Sequence, residues 1–285
     1  MILWLLLITA IWGGTFVTVK DALGSSDTFT FLALRFALGG AAGLLLARSQ
    51  LRDLRVWRLG FGLGLLLFGG YALQTLGLET TTPARSAFIT GLSVLFVPFV
   101  QWAINRVAPT LPTLVGVGLA LAGLQMLTGF TPGSTLPIGD LLTLGCAIVY
   151  AGHIVATGHL GAGVSPIALV TVQLWVTAAF AAGVRPLVVT HFTPTPTYWV
   201  AIALTGVLAS TFAIAIQIWA QARVPAERAA VIYSLEPAFA VIFGLALGHG
   251  MPKANELSGG ALLVAAVLVS EIGAMRRRRL SSTPA

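Results

Sequence analysis

Residues 85–96 read RSAFITGLSVLF, and residues 228–239, which lie 143 positions later, read RAAVIYSLEPAF. Both stretches begin with an arginine and end with a phenylalanine, and five of their twelve positions are identical. The same spacing carries Gln74 onto Gln217 and Gly116 onto Gly259. Similarity at a fixed period is typical of a chain that repeats one structural unit, so the sequence predicts two copies of such a unit.

The repeat continues towards the N-terminus at a shorter spacing. Over 138 positions it pairs Trp12 with Tyr150, Gly14 with Gly152 and Arg35 with Gln173. An insertion of five residues between the seventh and eighth helices accounts for the change in spacing from 138 to 143. The two halves are then residues 1–133 and 139–275, and a basic tail, residues 276–285, follows them.

The composition excludes an ordinary water-soluble domain. Of the 285 residues, 57% are hydrophobic and only 9% are charged, and the mean hydropathy is +0.93. A soluble domain carries about 25% charged residues. Apolar runs of the roughly 20 residues that a bilayer requires recur near residues 2–20, 28–47, 59–78, 84–105, 109–128, 140–159, 164–184, 197–221, 229–249 and 256–275. The first run lacks the basic start of a signal peptide and has a counterpart in the second half, so we interpret it as a retained helix.

We therefore predict an all-α integral membrane protein with ten transmembrane helices, arranged as two five-helix inverted repeats around a central cavity. Because five is an odd number, the second repeat enters the membrane in the opposite orientation to the first. Inverted repeats place a binding site near the middle of the membrane, where the halves meet, and they supply two related conformations for alternating access.

The basic residues indicate the orientation in the membrane. If the N-terminus is inside, the inner loops and the tail hold 11 of the 16 lysines and arginines, and the outer loops hold four. This bias follows the positive-inside rule, so we expect a multi-pass protein of the bacterial inner (plasma) membrane with both termini in the cytoplasm. The same bias accounts for the net charge of +7, and we expect no nucleic-acid partner.

Polar side chains within the apolar runs are the candidate cavity residues, because they are costly to place in lipid. Helical spacing puts Ser86, Thr90 and Ser93 on one face of the fourth helix. The predicted substrate-binding residues, from helices 1, 3, 4, 6, 8 and 9, are Trp12, Thr15, Tyr71, Gln74, Thr90, Tyr150, His153, Gln217, Tyr233 and Glu236. Structural roles stay open for several of them, since hydroxyls can bond to their own helix, glutamines can join helices, and His153 can be a packing histidine.

Glu236 is the acid that lies deepest in any apolar run, about seven residues from the nearer end. Pro237 follows it and removes a backbone donor, which leaves carbonyl groups that can bind water or a ligand. A carboxyl group at this depth suits proton coupling or the binding of an ammonium group. The alternative is a structural acid that is protonated or paired with an arginine.

Other polar and glycine residues point to local roles. We expect Arg35 to reach the membrane surface or to pair, and Glu79 to pair locally with Arg85. Glycines four residues apart predict close approach of helices; the pairs are Gly39 with Gly43, Gly60 with Gly64, and Gly244 with Gly248. No zinc-type spacing, Gly-x-Ser-x-Gly motif or pair of deep carboxylates is present in the sequence, so we expect no enzyme, no cofactor and no metal.

Taken in order along the chain, several short motifs resemble the drug/metabolite transporter superfamily in its EamA-like branch. They are WGG at 12–14, LRF at 34–36, the stretch 87–99, SLEP at 234–237 and ELSGG at 256–260. The resemblance spans nearly all ten predicted helices and implies a transporter with a central cavity that exports small metabolites. The branch includes YddG-type exporters of aromatic and other neutral amino acids, and other members are assigned nucleosides, riboflavin precursors or drugs.

The residues and the resemblance together predict a secondary transporter that exports aromatic or neutral amino acids across the inner membrane by alternating access. Its partners are a small-molecule substrate and membrane lipid; proton coupling is one role of Glu236, and the oligomeric state stays open. Export of nucleosides or drugs on the same fold is the main alternative. An intramembrane enzyme or lipid-handling protein is the alternative from another class, and it needs a nucleophile or metal that the sequence does not display.

Overall fold

The structure is a computed structural model that describes residues 1–106, 108–128, 136–161, 163–187, 191–224, 229, 232–233, 235–248 and 250–281. These residues form helices and their connections, and they contain no strand, only an isolated antiparallel bridge between Ser26 and Phe192. The predicted end of the first half at residue 133, the repeat positions Arg228 and Ala230, and the tail residues 282–285 lie outside the described residues.

The helices follow the predicted apolar runs closely. They are α1 Ile2–Ala22, α2 Thr28–Ala47, α3 Leu54–Thr80, α4 Pro83–Gly91, α5 Ser93–Asn105, α6 Leu111–Thr128, α7 Ile138–Leu160, α8 Pro166–Val184, α9 Pro196–Ala203, α10 Ala213–Gln221, α11 Glu236–Ala246 and α12 Ala254–Ser281. A π-helical segment, Leu204–Phe212, joins α9 to α10 without a break. Because α12 continues to Ser281, the first part of the predicted tail is helical, as expected for arginines at the C-terminal end of a helix.

Seven helical segments in the described part of the chain are long and apolar enough to cross a membrane. They are Ile2–Ala22, Thr28–Ala47, Leu54–Thr80, Pro83–Ile104, Ile138–Leu160, Pro166–Leu187 and Pro196–Gln221. Two shorter apolar helices are Leu114–Gly123 and Glu236–Ala246. The prediction of an all-α integral membrane protein is therefore confirmed, whereas the prediction of ten spans goes beyond these seven segments.

Polar residues at the helix ends begin several of the spans. The carboxylate of Asp27 accepts a hydrogen bond from the backbone N–H of Thr30 at 2.9 Å, and Thr82 caps α4 in the same way through the N–H of Arg85 at 3.2 Å. Prolines occupy the first turns of α4, α8 and α9, where the missing N–H costs nothing. The sequence thus places its few polar and proline residues where the helices must begin.

Two helices predicted as continuous are interrupted, at positions 143 residues apart. In the first, the N–H of Leu92 bonds to the carbonyl of Ile89 at 3.1 Å and the N–H of Leu95 to Leu92 at 2.9 Å. In the second, the N–H of Leu235 bonds to Ile232 at 3.1 Å and the N–H of Ala238 to Leu235 at 3.0 Å. These bonds reach three residues back instead of four, so each helix tightens at its repeat-matched leucine.

Glycines bring the helices of the two halves into close contact at all four predicted positions on α2 and α3. A Cβ atom on Gly39 of α2 would lie 2.5 Å from the carbonyl oxygen of Gly206, and one on Gly60 or Gly64 of α3 would lie 2.6 or 2.7 Å from a valine of α8. The prediction was wrong for Gly248, which lies beyond the end of α11 with φ +83° and open space around it. There glycine serves the left-handed conformation that ends the helix.

Candidate functional site

A cavity lies between helices from both halves of the chain and contains about 620 Å³ of empty volume, part of it open space. The residues that line it are Trp12, Thr15, Leu67, Tyr71, Gln74, Thr90, Ser93, Tyr150, His153, Ile154, Ile214, Gln217, Tyr233 and Glu236. All ten residues predicted to bind substrate are among them, so the structure brings these ten together in one place.

Four lining residues were not in the predicted set. Ser93 lies on the same helical face as Thr90, and that spacing was the signal that could have added it. Leu67, Ile154 and Ile214 are apolar and carry no signal that separates them from core residues. In contrast, Ser86 shares the face of Thr90 but is fully buried away from the cavity, and its hydroxyl has no hydrogen-bond partner among the described residues.

The lining is built from repeat-matched positions. At the spacings of 138 and 143 residues, twelve of the fourteen lining residues form six pairs: Trp12 with Tyr150, Thr15 with His153, Tyr71 with Ile214, Gln74 with Gln217, Thr90 with Tyr233, and Ser93 with Glu236. Both halves therefore contribute the same set of positions. The chemistry differs, because the second half places histidine, tyrosine and glutamate where the first half has threonine, threonine and serine.

Two aromatic pairs frame the cavity. The ring centroids of Trp12 and Tyr233 are 5.5 Å apart, and those of Tyr71 and Tyr150 are 5.6 Å apart, both in edge-to-face arrangements. The indole N–H of Trp12 donates to the backbone carbonyl of Ala209 at 2.9 Å, which ties α1 to the π-helical segment. Edge-to-face pairs of this kind are a preferred arrangement worth about 0.5–1.5 kcal/mol beyond the buried area, so they help to stabilise the cavity walls.

Some polar groups of the lining are already satisfied within the protein. The amide nitrogen of Gln74 donates to the hydroxyl of Thr90 at 3.3 Å, and the Nε2 atom of His153 lies 2.8 Å from the side-chain oxygen of Gln173. The hydroxyl of Thr15 donates to the carbonyl of Trp12 in its own helix at 2.6 Å. These contacts match the structural alternatives considered for such residues, and they also fix the side chains in position.

Other polar groups of the lining are left without a partner. The hydroxyls of Tyr150 and Tyr233 are buried, and neither has a hydrogen-bond partner among the described residues. Buried hydroxyls are usually satisfied by protein, water or ligand. The hydrogen-bonding capacity of these two hydroxyls is therefore unused among the described residues.

Glu236 occupies the first position of α11, and Pro237 follows it. The repeat-matched residue, Ser93, occupies the first position of α5. Both interrupted helices thus direct an N-terminal end, which carries partial positive charge, to the wall of the cavity. The side chain of Glu236 is partly exposed, and the part of the chain described here places no cation within 4.0 Å of it.

The structure corrects the prediction for Arg35, which does not reach the membrane surface. The side chain is only 2% exposed, its Nε donates to the hydroxyl of Ser210 at 3.2 Å, and its guanidinium lies over the rings of Phe36 and Tyr71, 5.0 and 4.6 Å from the centroids. The physical reason is close packing: a Cβ atom on Gly206 would lie 2.5 Å from the carbonyl oxygen of Arg35, and the rings of Phe36 and Tyr71 cover the guanidinium.

The predicted local pair of Glu79 with Arg85 is also wrong. Arg85 forms an ion pair with Asp140 at the start of α7, and Thr81 donates to the same carboxylate at 2.9 Å. The carboxylate of Glu79 instead accepts from the hydroxyl of Thr28 at 2.6 Å. Both acids pair with helices distant in the sequence, which a local count of charges does not reveal.

Among the described residues, no group of three or more His, Cys, Asp or Glu side chains could hold a metal ion. The cavity contains one carboxylate, one imidazole, two amides and a set of hydroxyls and aromatic rings. Chemically, this set can bind an amphipathic molecule through apolar contacts and hydrogen bonds and can attract a cation through Glu236.

Known proteins resemble this chain over nearly its full length. The sequence profile described as the EamA-like transporter family matches residues 1–129 and 137–271. An uncharacterized transporter of Archaeoglobus fulgidus is 32% identical over 267 residues, covering 93% of this chain and 83% of that protein. The uncharacterized transporter YyaM of Bacillus subtilis is 26% identical over 282 residues, covering 90% and 89%.

A solved crystal structure matches the fold with a TM-score of 0.71 at 22% identity, and the match covers 98% of each chain. At this identity the likeness concerns the fold alone. The family profile covers both halves of the chain, and the archaeal relative exceeds 30% identity over most of its length. The chain therefore belongs to the EamA-like transporter family.

Proposed function

We propose that this protein is a secondary transporter that exports aromatic and neutral amino acids across the inner membrane by alternating access. One observation carries the proposal: the cavity is lined by six pairs of repeat-matched residues, one member of each pair from each half. A site assembled in this way changes its access when the halves move relative to each other. Membership of a small-molecule transporter family is consistent with that use.

The proposal includes ten membrane spans arranged as two inverted repeats. The spans beyond the seven long ones are α6, α11 with the residues before it, and α12. The family match in two stretches, residues 1–129 and 137–271, supports two five-helix units. The tightened turns at Leu92 and Leu235, with their matching hydrogen bonds, support the same division.

Helix packing gives independent support for the repeat. The contact of α1 with α11 corresponds to that of α7 with α4 and α5, and the contact of α3 with α8 corresponds to that of α2 with the π-helical segment. In the repeat, α2 corresponds to α8 and α6 corresponds to α12. Exchanging the two halves therefore turns the contact of α2 with α8, and that of α6 with α12, into the same contact again. Such an exchange is expected for two copies of one unit related by a two-fold axis.

The lining favours a small amphipathic substrate that carries an ammonium group. The two aromatic pairs offer apolar and π surfaces to a side chain, and Trp12 and Tyr233 can also contact a cation through their ring faces. Glu236 supplies the negative charge, and the free hydroxyls of Tyr150 and Tyr233 supply hydrogen bonds. Neutral and aromatic amino acids combine all of these features.

Uptake into liposomes that contain the purified protein tests the proposal. Labelled phenylalanine, threonine and adenosine are compared with and without a pH gradient, and counterflow on preloaded vesicles separates a carrier from a channel. We expect saturable uptake and counterflow of phenylalanine. Transport of adenosine alone would replace the substrate and keep the mechanism, whereas no counterflow of any of the three would contradict the proposed function.

A further inference from the structure

Two charged side chains lie within the membrane-spanning part of the protein near the cavity. Glu236 lines the cavity, and Arg35 lies behind Tyr71, which also lines it. The ion pair of Arg85 with Asp140 is the only one within the described ranges, so neither Arg35 nor Glu236 has an opposite charge within 4.0 Å there. An unneutralised charge at membrane depth is costly and marks a functional position by default.

The structure holds the guanidinium of Arg35 in a fixed place. Its Nε donates to Ser210, and the Ser210 hydroxyl donates in turn to the carbonyl of Thr205 at 2.8 Å, five residues back in the π-helical segment. Two aromatic faces cover the cation, at 5.0 and 4.6 Å. The positive charge is therefore separated from the cavity by one aromatic layer, the ring of Tyr71.

The two charges come from different sides of the site. Arg35 is on α2, which packs on α8 and on the π-helical segment, whereas Glu236 is on α11, which packs on α1 and α4. Tyr71 and Tyr150 form the aromatic pair on the side of Arg35. Trp12 and Tyr233 form the pair beside Glu236. The cavity thus has a positive end and a negative end.

We infer that Arg35 selects the carboxylate of the substrate and makes the cavity specific for zwitterions. The substrate's ammonium group faces Glu236, and its carboxylate accepts hydrogen bonds at the Tyr71–Tyr150 end, where the Tyr150 hydroxyl is unpartnered. Arg35 stabilises that carboxylate without touching it, because Coulomb attraction is strong in a medium of low dielectric constant. Arg35 is thus a positioning and specificity residue, and this inference rests on the proposed function.

Three compounds that share a phenyl ring test the contributions of the positive and the negative end of the cavity in the liposome assay. Phenylalanine carries both charges, phenethylamine lacks the carboxylate, and 3-phenylpropionate lacks the ammonium group. We expect the wild type to prefer phenylalanine to both analogues. In the variant Arg35→Gln, we expect the preference for phenylalanine over phenethylamine to fall by about tenfold or more. Glutamine is chosen as the replacement for Arg35 because the repeat-matched position in the second half is occupied by a glutamine, Gln173.

Controls separate specificity from a loss of structure. Arg48→Gln makes the same change at an exposed position outside the cavity and should leave the preference unchanged. Tyr150→Phe removes the free hydroxyl without touching Arg35 and should lower the same preference, so it tests the inference even if Arg35→Gln does not fold. Phenethylamine transport by each variant reports on folding, since it does not involve the carboxylate end.

The outcomes distinguish this inference from the function on which it rests. If the wild type transports none of the three compounds, both fail. If it transports phenylalanine but takes phenethylamine equally well, or if either Arg35→Gln or Tyr150→Phe transports phenethylamine and keeps the wild-type preference, the transporter proposal stands and the role of Arg35 is overturned.

Discussion

At the scale of single residues, the chemistry of the site depends on a few polar groups set in an apolar lining. The sequence was sufficient to find ten of the fourteen lining residues, because a polar side chain inside an apolar run must have a reason to be there. The same logic could not find Leu67, Ile154 or Ile214, which resemble any core residue. It also misplaced Arg35, because depth along one helix does not reveal the rings of a neighbouring helix that cover it.

Glu236 is the residue whose replacement is most informative. Glu236→Gln keeps the shape of the side chain and removes the negative charge from the cavity. We expect phenylalanine uptake to fall about tenfold or more, as for the loss of a charged hydrogen bond, and any dependence on the pH gradient to disappear. Uptake in proteoliposomes with and without the gradient is the measurement.

Glu256→Gln is a matched control for that variant. Glu256 is also buried, but it lies in the first turn of α12 outside the cavity, and its carboxylate accepts from the N–H of Lys253 at 3.0 Å. We expect this control to transport with the wild-type gradient dependence. Wild-type transport and gradient dependence in Glu236→Gln would remove Glu236 from the mechanism.

At the scale of helices, the sequence predicted the positions of the helices well and their irregularities poorly. Pro237 is a signal for the interruption at Leu235, but its repeat-matched residue in the other half is Val94, which gives no such signal. The π-helical segment was not predicted either. Its serine and threonine side chains bond five residues back, from Ser210 to Thr205 and from Thr211 to Gly206, a pattern that composition alone does not reveal.

The contact of α1 with α11 sets the position of Glu236 and gives a prediction for two glycines. A Cβ atom on Gly13 would lie 2.5 Å from the Cβ of Phe239 and 2.8 Å from the carbonyl oxygen of Glu236, whereas one on Gly152 of α7 would meet nothing within 4 Å. We expect Gly13→Ala to destabilise the protein by about 1–3 kcal/mol and to reduce transport. Gly152→Ala should change stability by about 0.5 kcal/mol or less.

Thermal unfolding in detergent and phenylalanine uptake measure the two effects for this glycine pair. The comparison is internal, since both changes add one methyl group to a membrane helix. Equal behaviour of the two variants would show that close packing of α1 on α11 does not position the site.

At the scale of the whole molecule, polar contacts join the two halves at the end that we propose faces outward. Arg85 pairs with Asp140, and the N–H of Thr193 donates to the carbonyl of Ser25 at 2.8 Å. Arg185 donates to the hydroxyl of Thr30 at 2.7 Å. Alternating access requires these contacts to break when the site opens outward, and none of them was predicted, because each joins helix ends or loops that are far apart in the sequence.

The ion pair of Arg85 with Asp140 gives the prediction at this scale. Asp140→Asn removes the negative charge from the ion pair with Arg85, and we expect this to destabilise the outward-closed state by about 1–3 kcal/mol. Access from outside should then increase, measured as faster labelling, by a membrane-impermeant thiol reagent, of a cysteine introduced in place of the lining residue Ser93. Asp53→Asn, a change at an exposed helix cap at the other end, is the control and should leave the rate unchanged. Equal rates in the two variants would exclude this pair as an outer closure.

Two-sided labelling of the cavity tests the account most directly. Cys146, the single native cysteine, is replaced by serine, and Ser93→Cys introduces a thiol into the lining, with Trp102→Cys on the exposed face of α5 as the control. We predict that an impermeant reagent labels position 93 from either side of the membrane in a transport-competent protein, and that phenylalanine slows labelling from both sides. Labelling from one side only, with no protection by any transported substrate, would contradict the claim that this cavity is the alternating-access site.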